Sequence, residues 1–213
     1  AMANRIRFEG RKATGVDYID GDGKTRSVSA RRGVIVSAGS INSPKLLQLS
    51  GIGPADLLKQ HGIPVVYDRH SVGDNLRDHY TARHVYRVKN ARSLNDVASG
   101  APLLWQIMKY FLGMESILEI PPGNCFAFAK SRPDLPDADL QLTFAPASMK
   151  LGTIGLLDDF PGMTCGIWKH RADSYGSVRI TSADVRVQPF INPNYLSDKR
   201  DRQGMLAGLR LVR

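Results

Sequence analysis

The stretch Val34 to Pro54, VIVSAGSINSPKLLQLSGIGP, decides how this chain is read. Val34, Ile35 and Val36 are β-branched and predict a short buried strand. Gly39 allows a tight turn or the close approach of a bound molecule. Ser43 is placed as an N-cap, Pro44 suits the first helical position, and Leu46, Leu47 and Leu49 supply an apolar face. Gly51 reads as the left-handed residue just past the helix end. Strand, glycine turn and helix N-terminus form an arrangement that α/β proteins use to hold an anionic cofactor, because first-turn N–H groups point outward.

Ahead of this stretch, residues 5–36 read as a β-meander. Ile6 and Phe8 alternate with Arg5 and Arg7, Glu9-Gly10-Arg11 turns, and Ala13 to Ile19 forms the next strand. Asp20-Gly21-Asp22-Gly23 is a strong hairpin signal, Thr25 to Ala30 leads back, and Val34 to Val36 closes the set. Beyond it, Ala55 to His61 predicts a short helix capped by Gly62. IPVVYD predicts a short strand, and SVGDNLRDHY is rich in turns.

The texture changes near Tyr80, where we place a boundary between residues 1–80 and 81–213. ARHVYRV alternates as a half-exposed strand. APLLWQIMKYFLG is an amphipathic helix whose apolar face (Leu103, Leu104, Ile107, Met108, Phe111 and Leu112) is expected to pack in the core. NCFAFAKS, ADLQLTFAP, GMTCGIWKH and GSVRITSAD follow as strands of an antiparallel sheet. From Ser197 onward a helix is expected, with Met205, Leu209 and Val212 on one face. That face is still apolar at Arg213 with no stop signal, and the first strand has no lead-in, so both ends read as cut. The fold class is therefore α+β: a strand-turn-helix portion with a β-meander, then an antiparallel-sheet domain flanked by helices.

Composition narrows the function. The chain has 213 residues, 42% of them hydrophobic, enough to bury roughly 70% of its unfolded surface. No apolar run reaches the ~20 residues of a membrane helix, and no secretory leader is read at the start. Cys125 and Cys165 are the only cysteines and are expected as buried free thiols in a reducing cytoplasm. The net charge of +9 is spread along the chain without an aromatic-interleaved stripe, which argues against nucleic-acid binding.

Three motif-like segments fail. Gly21 to Thr25 echoes a phosphate loop, but Tyr18 stands where the first glycine belongs. Asp20 and Asp22 begin like a calcium loop, but Lys24 takes a ligand position. Gly51-Ile52-Gly53 has Asp56 in place of the third glycine of a dinucleotide fingerprint. No metal site is expected, and none of the five histidines has a partner at informative spacing.

Gly39 to Gly53 closely resembles the second signature of the glucose-methanol-choline oxidoreductases. Gly39-Ser40, Ser43-Pro44, Leu46-Leu47 and Ser50-Gly51-Ile52-Gly53 match that pattern in order. RKATGVDY, VGDNLRDH, YGSVRITSAD and PFINPNYLSDKRD are similar to further family segments, and the likeness to the choline and alcohol dehydrogenase branch runs along essentially the whole chain. The resemblance implies part of an FAD-binding domain followed by a substrate domain. It implies that the backbone at Ala38, Gly39 and Ser40 lies near the nucleotide part of FAD and that Asn75 is close to the cofactor, although the turn and the loop also account for these residues structurally.

The family's Gly-x-Gly-x-x-Gly strand-turn-helix is absent here, and its catalytic histidine is expected beyond residue 213, so no catalytic residue is assigned. The implied function is part of an enzyme that oxidises a primary alcohol, choline-like or other, by hydride transfer to flavin N5. The segment alone is expected to be inactive, with weak or no FAD binding; the alcohol and the remaining portions of the FAD domain are its expected partners. Two alternatives stand beside this: an FAD-containing hydroxynitrile lyase of the same family, and a non-catalytic binding module. Trp105, Tyr110, Phe111 and Trp168 are candidates for an aromatic cage around a quaternary ammonium, against a plain core role.

Overall fold

The computed structural model describes residues 1–213 apart from Pro122, Asn124, Leu151 and Ile154. In chain order, strands β1 (Met2–Glu9), β2 (Lys12–Ile19) and β3 (Thr25–Ser29) precede helix α1 (Gly39–Leu49). Then come β4 (Ile52–Gly53), helix α2 (Ala55–Gln60), β5 (Tyr67–Asp68) and β6 (Asp74–Leu76). Strand β7 (Ala82–Arg87) and helix α3 (Gly100–Phe111) lead to β8 (Cys125–Ala129), β9 (Leu140–Ala145) and β10 (Gly162–Lys169). The last elements are β11 (Gly176–Arg179), β12 (Phe190–Asn192) and helix α4 (Lys199–Val212). The mixed α+β class expected from the sequence is the one observed. Asn124, at the head of the NCFAFAKS strand, lies outside the described residues.

The chain forms two compact units: residues 1–78 with 174–197, and residues 79–173 with 198–213. Residues 174–197 thus group with residues 1–78 and not with their neighbours in sequence.

In the first unit, β1, β2 and β3 form an antiparallel sheet in that order. Its hairpin is set locally, since Asp20 Oδ1 accepts the N–H groups of Asp22 (3.0 Å) and Lys24 (2.9 Å). The meander stops there. Residues 33–37 form no strand, and Ile35 is 93% exposed. Strand bonds are made with a neighbour, and no described strand lies beside Val34–Val36. A second three-stranded sheet runs β12-β11-β6, and β4 pairs with β5 in parallel. Leu49, Leu58, Ile63, Ile180 and Val185 make the core of this unit.

In the second unit, β7, β10, β9 and β8 form an antiparallel sheet in that order. Helix α4 lies against β10, on the face that carries Ile167 and Leu140, both fully buried. Gly204 and Gly208 make the approach possible: a Cβ on Gly208 would collide with the Ile167 side chain. Helix α3 departs from expectation. None of its residues is buried, and it packs on the 3-10 turn Ile117–Glu119, leaving Leu104, Trp105, Met108 and Phe111 exposed. The thiols differ too, Cys125 being exposed and Cys165 half-buried, with burial pushing the Cys165 thiol up.

Asp198 caps α4 by accepting from the Arg200 N–H at 2.7 Å. The Arg200 guanidinium and that amide hold its carboxyl down at about 2, against an ordinary 3.8. A depressed carboxyl stabilises the fold above its unfolded pKa, and the benefit goes as pH falls through the folded one. Asp198→Asn is therefore expected to flatten the acid dependence of unfolding of the second unit between about pH 4 and pH 2. Circular dichroism melts across that window check it, and an unchanged slope counts against the pairing.

Candidate functional site

Helix α1 begins at Gly39, five residues earlier than Ser43-Pro44 predicted. Ala38 holds the N-cap position, and Ser43 Oγ accepts the Ala38 N–H from inside the helix at 3.0 Å. Pro44 is tolerated because its ring costs only one bond near the start, the one the Ser40 carbonyl would have received. The result is an N-terminus with no side-chain cap and no acidic residue in its first turn. Such an end exposes N–H groups and the positive pole of the helix dipole. Gly39 has φ +84°, and none of the described residues lies within 4 Å of where its Cβ would be.

Two concavities flank this helix start within the first unit. One, of about 400 Å³, is lined by Ser40 and Pro44 on one side and by Gly73–Arg77 and Val178 on the other. The other, of about 330 Å³, is lined by Ala38, Asn42, Lys45 and Leu46 together with Met2, Ala3, Val185, Arg186 and Gln188. Of the residues singled out in the sequence, Ser40 and Asn75 share the first concavity. Ala38 lines the second, and Gly39 lines neither.

Asn75 is held in an uncommon conformation. Leu76 pairs with Gly176 and Asp74 with Ser177, so Asn75 is an extra residue in β6. Its φ of 60° is left-handed, which asparagine tolerates better than most residues. Beside it, Asp74 is ion-paired with Arg179, and the Arg77 guanidinium sits 4.2 Å from the Tyr175 ring centroid. In the second concavity Lys45 is buried, and its ammonium donates to the Val185 carbonyl at 2.6 Å. Burial pulls the Lys45 pKa down, partly opposed by the nearby Asp184 carboxylate.

The second unit carries an aromatic cluster on the sheet face away from α4. His79 Nε2 donates to the His170 carbonyl at 2.8 Å, and its ring lies 5.9 Å from that of Trp168. His170 bonds Gln141 at 3.0 Å and meets Phe128 edge-on. The indole N–H of Trp168 is buried without a hydrogen-bond partner among the described residues. Trp105, Tyr110 and Phe111 all lie on the exposed α3, where they serve neither as core nor as lining of the described concavities.

Sequence reasoning passed over Gln48, Gly73 and Arg179. Gln48 is fully buried between two leucines, and its identity was the one available signal: an amide in an apolar stripe must be bonded to something.

Residues 1–81 match the N-terminal family model described as GMC oxidoreductase, and residues 172–213 match its C-terminal counterpart. The chain is 38% identical to an uncharacterized GMC-type oxidoreductase of Mycobacterium bovis, covering 99% of this chain and 39% of that protein. It is 36% identical to an oxygen-dependent choline dehydrogenase of Cronobacter sakazakii, of which it covers 38%. A crystal structure of formate oxidase superposes with a TM-score of 0.87 at 26% identity, over 99% of this chain and 42% of that one. A pyridoxine 4-oxidase has the same fold, with a TM-score of 0.78 at 22% identity. The chain thus spans about two fifths of the length of the relatives it matches. On these matches, together with the signature at Gly39–Gly53, the chain belongs to the GMC oxidoreductase family.

Proposed function

We propose that the chain is part of an FAD-dependent oxidoreductase and that the whole protein oxidises a primary alcohol, choline-like or other. The observation that carries this reading is the concavity where the uncapped start of α1 faces Gly73–Arg77. Its residues suit a phosphate-bearing group: an uncapped helix start with no acidic side chain in its first turn, and on the opposite wall Arg77, the Asp74 carboxylate there being paired with Arg179. Ala38, Gly39 and Ser40 would hold the nucleotide part of FAD through their backbone, and Asn75 would approach it from the bulge in β6.

When bound, FAD supplies the hydride acceptor, flavin N5, and so carries the redox chemistry. This chain's residues bind and orient. The base that takes the alcohol proton belongs to another part of the protein, and the chain alone is inactive. The choline dehydrogenase relative supports an alcohol substrate. A cytoplasmic setting suits the unbridged Cys125 and Cys165.

Two measurements test the reading. The whole protein, mixed anaerobically with choline and simple primary alcohols, is expected to lose visible flavin absorbance; no loss with any of them overturns the alcohol assignment. The purified 213-residue chain is expected to quench flavin fluorescence weakly or not at all and to turn over no alcohol. Turnover by the pure chain would refute the division of labour.

A further inference from the structure

Gln48 lies on α1 beyond the groove-lining Ser40 and Pro44, fully buried in a segment otherwise lined by leucine. A buried amide without partners costs about 1–3 kcal/mol, so its bonds must be of use to the fold. All are made within the first unit and none goes to its own helix. Its Nε2 donates to the carbonyls of Val72 (3.1 Å) and Val178 (3.0 Å), and its Oε1 accepts the Ile180 N–H at 2.9 Å. One side chain thus ties α1 both to β11 and to the turn that enters β6.

The turn is built to receive that amide. Gly73 has φ +85°, and a Cβ there would run into Gln48 Nε2 and the Val178 carbonyl. The Gly73 carbonyl accepts the Val178 N–H at 2.6 Å. Arg179 adds a second brace, its guanidinium reaching the Val72 carbonyl at 3.3 Å and pairing with Asp74. Asn75 follows two residues after Gly73, in its left-handed bulge. The opposing wall of the groove, Ser40 and Pro44, belongs to the same helix as Gln48.

We infer that Gln48 is a positioning residue: it sets the width of the groove by holding Val72–Gly73, and with them Asn75 and Arg77, at a fixed distance from the start of α1. It touches no ligand itself and acts through the turn. The inference rests on the reading of this groove as the FAD site, and the test separates the two.

Amide NMR spectra of the chain are recorded for wild type, Gln48→Met, Gln48→Glu and Leu58→Ala, each with and without FAD. Gln48→Met keeps the bulk and removes the bonds. Gln48→Glu keeps the acceptor for Ile180 and loses both donors, so it stands in if the methionine variant does not fold. Both Gln48 variants are expected to shift the signals of residues 73–77 and to speed their hydrogen exchange about tenfold or more, the weight of one net hydrogen bond. Leu58→Ala, which empties the core of the same unit, is expected to lower stability and leave those signals in place.

Where FAD shifts Ser40 and residues 73–77 in wild type, its Kd is expected to rise about tenfold in the Gln48 variants and not in Leu58→Ala, again the weight of one bond. Unmoved signals and exchange at 73–77 in both Gln48 variants overturn the positioning role whatever FAD does. Wild-type signals at Ser40 and 73–77 that ignore saturating FAD agree with the weak binding expected of the chain alone; a whole protein that binds no FAD overturns the cofactor reading, while the exchange result still decides Gln48.

Discussion

Replacing Gly73 by alanine is expected to damage the first unit through backbone strain and a steric clash together. A left-handed residue other than glycine costs about 1–3 kcal/mol in backbone strain. At Gly73 the methyl also meets the Val178 carbonyl and Gln48 Nε2, with Arg179 Nη1 at 2.8 Å. The Val178 carbonyl is bound to Gln48 and its strand is paired on both sides, so it has little room to yield. Overpacking of this kind adds roughly 1–3 kcal/mol. Gly62→Ala separates the two contributions, because Gly62 has φ +68° with none of the described residues within 4 Å of its Cβ position. Thermal melts of both variants are expected to show Gly73→Ala losing about twice as much stability as Gly62→Ala. Equal losses would mean that strain alone acts and that the tight seat around Gly73 is absent.

Ile167→Ala is expected to destabilise the second unit by about 2–5 kcal/mol. Ile167 is fully buried on β10, a central strand paired with both β7 and β9. Its side chain fills the space that Gly208 leaves on α4, beside Leu140. Truncation removes packing between strand and helix at once, and a helix held by its glycines cannot close the gap without leaving its neighbours. The readout is convenient: both tryptophans, Trp105 and Trp168, lie in the second unit. Tryptophan fluorescence in urea therefore follows that unit, and its midpoint is expected to fall while melts of the first unit hold. A fluorescence midpoint like wild type would remove Ile167 from the contact between β10 and α4.

Some of this was legible in the residues because the forces involved are local. The Asp20–Gly23 hairpin announces itself, since an aspartate side chain bonds amides two and four residues on and Gly23 takes φ +78°. Alternation in ADLQLTFAP and GMTCGIWKH marks strands that pair as expected. The Met205 stripe marks α4, whose buried face also uses Gly204 and Gly208. Gly51, at φ +88°, ends α1 as read.

The remainder depended on partners distant in sequence. Val34–Val36 has the composition of a strand, but strand bonds need a neighbour, and none of the described strands supplies one. The apolar stripe of α3 has the periodicity of a core helix, yet a stripe does not name what covers it. The helix cap moved from Ser43 to Ala38, with Ser43 bonding back to Ala38 from within the helix, a choice that pattern alone leaves open.

The sequence by itself determined the family, the hairpins, the antiparallel strands and a helix between the Gly39 turn and Gly51, all features encoded over a few residues. Only the tertiary structure decided that Ser40 and Asn75 share a groove while Ala38 lines another, that residues 174–197 group with the first unit, and that Gln48 binds the two walls together. Those outcomes rest on hydrogen bonds and packing between segments more than a hundred residues apart, such as Gln48 with Val178 and Ile180. Local propensity carries no record of them.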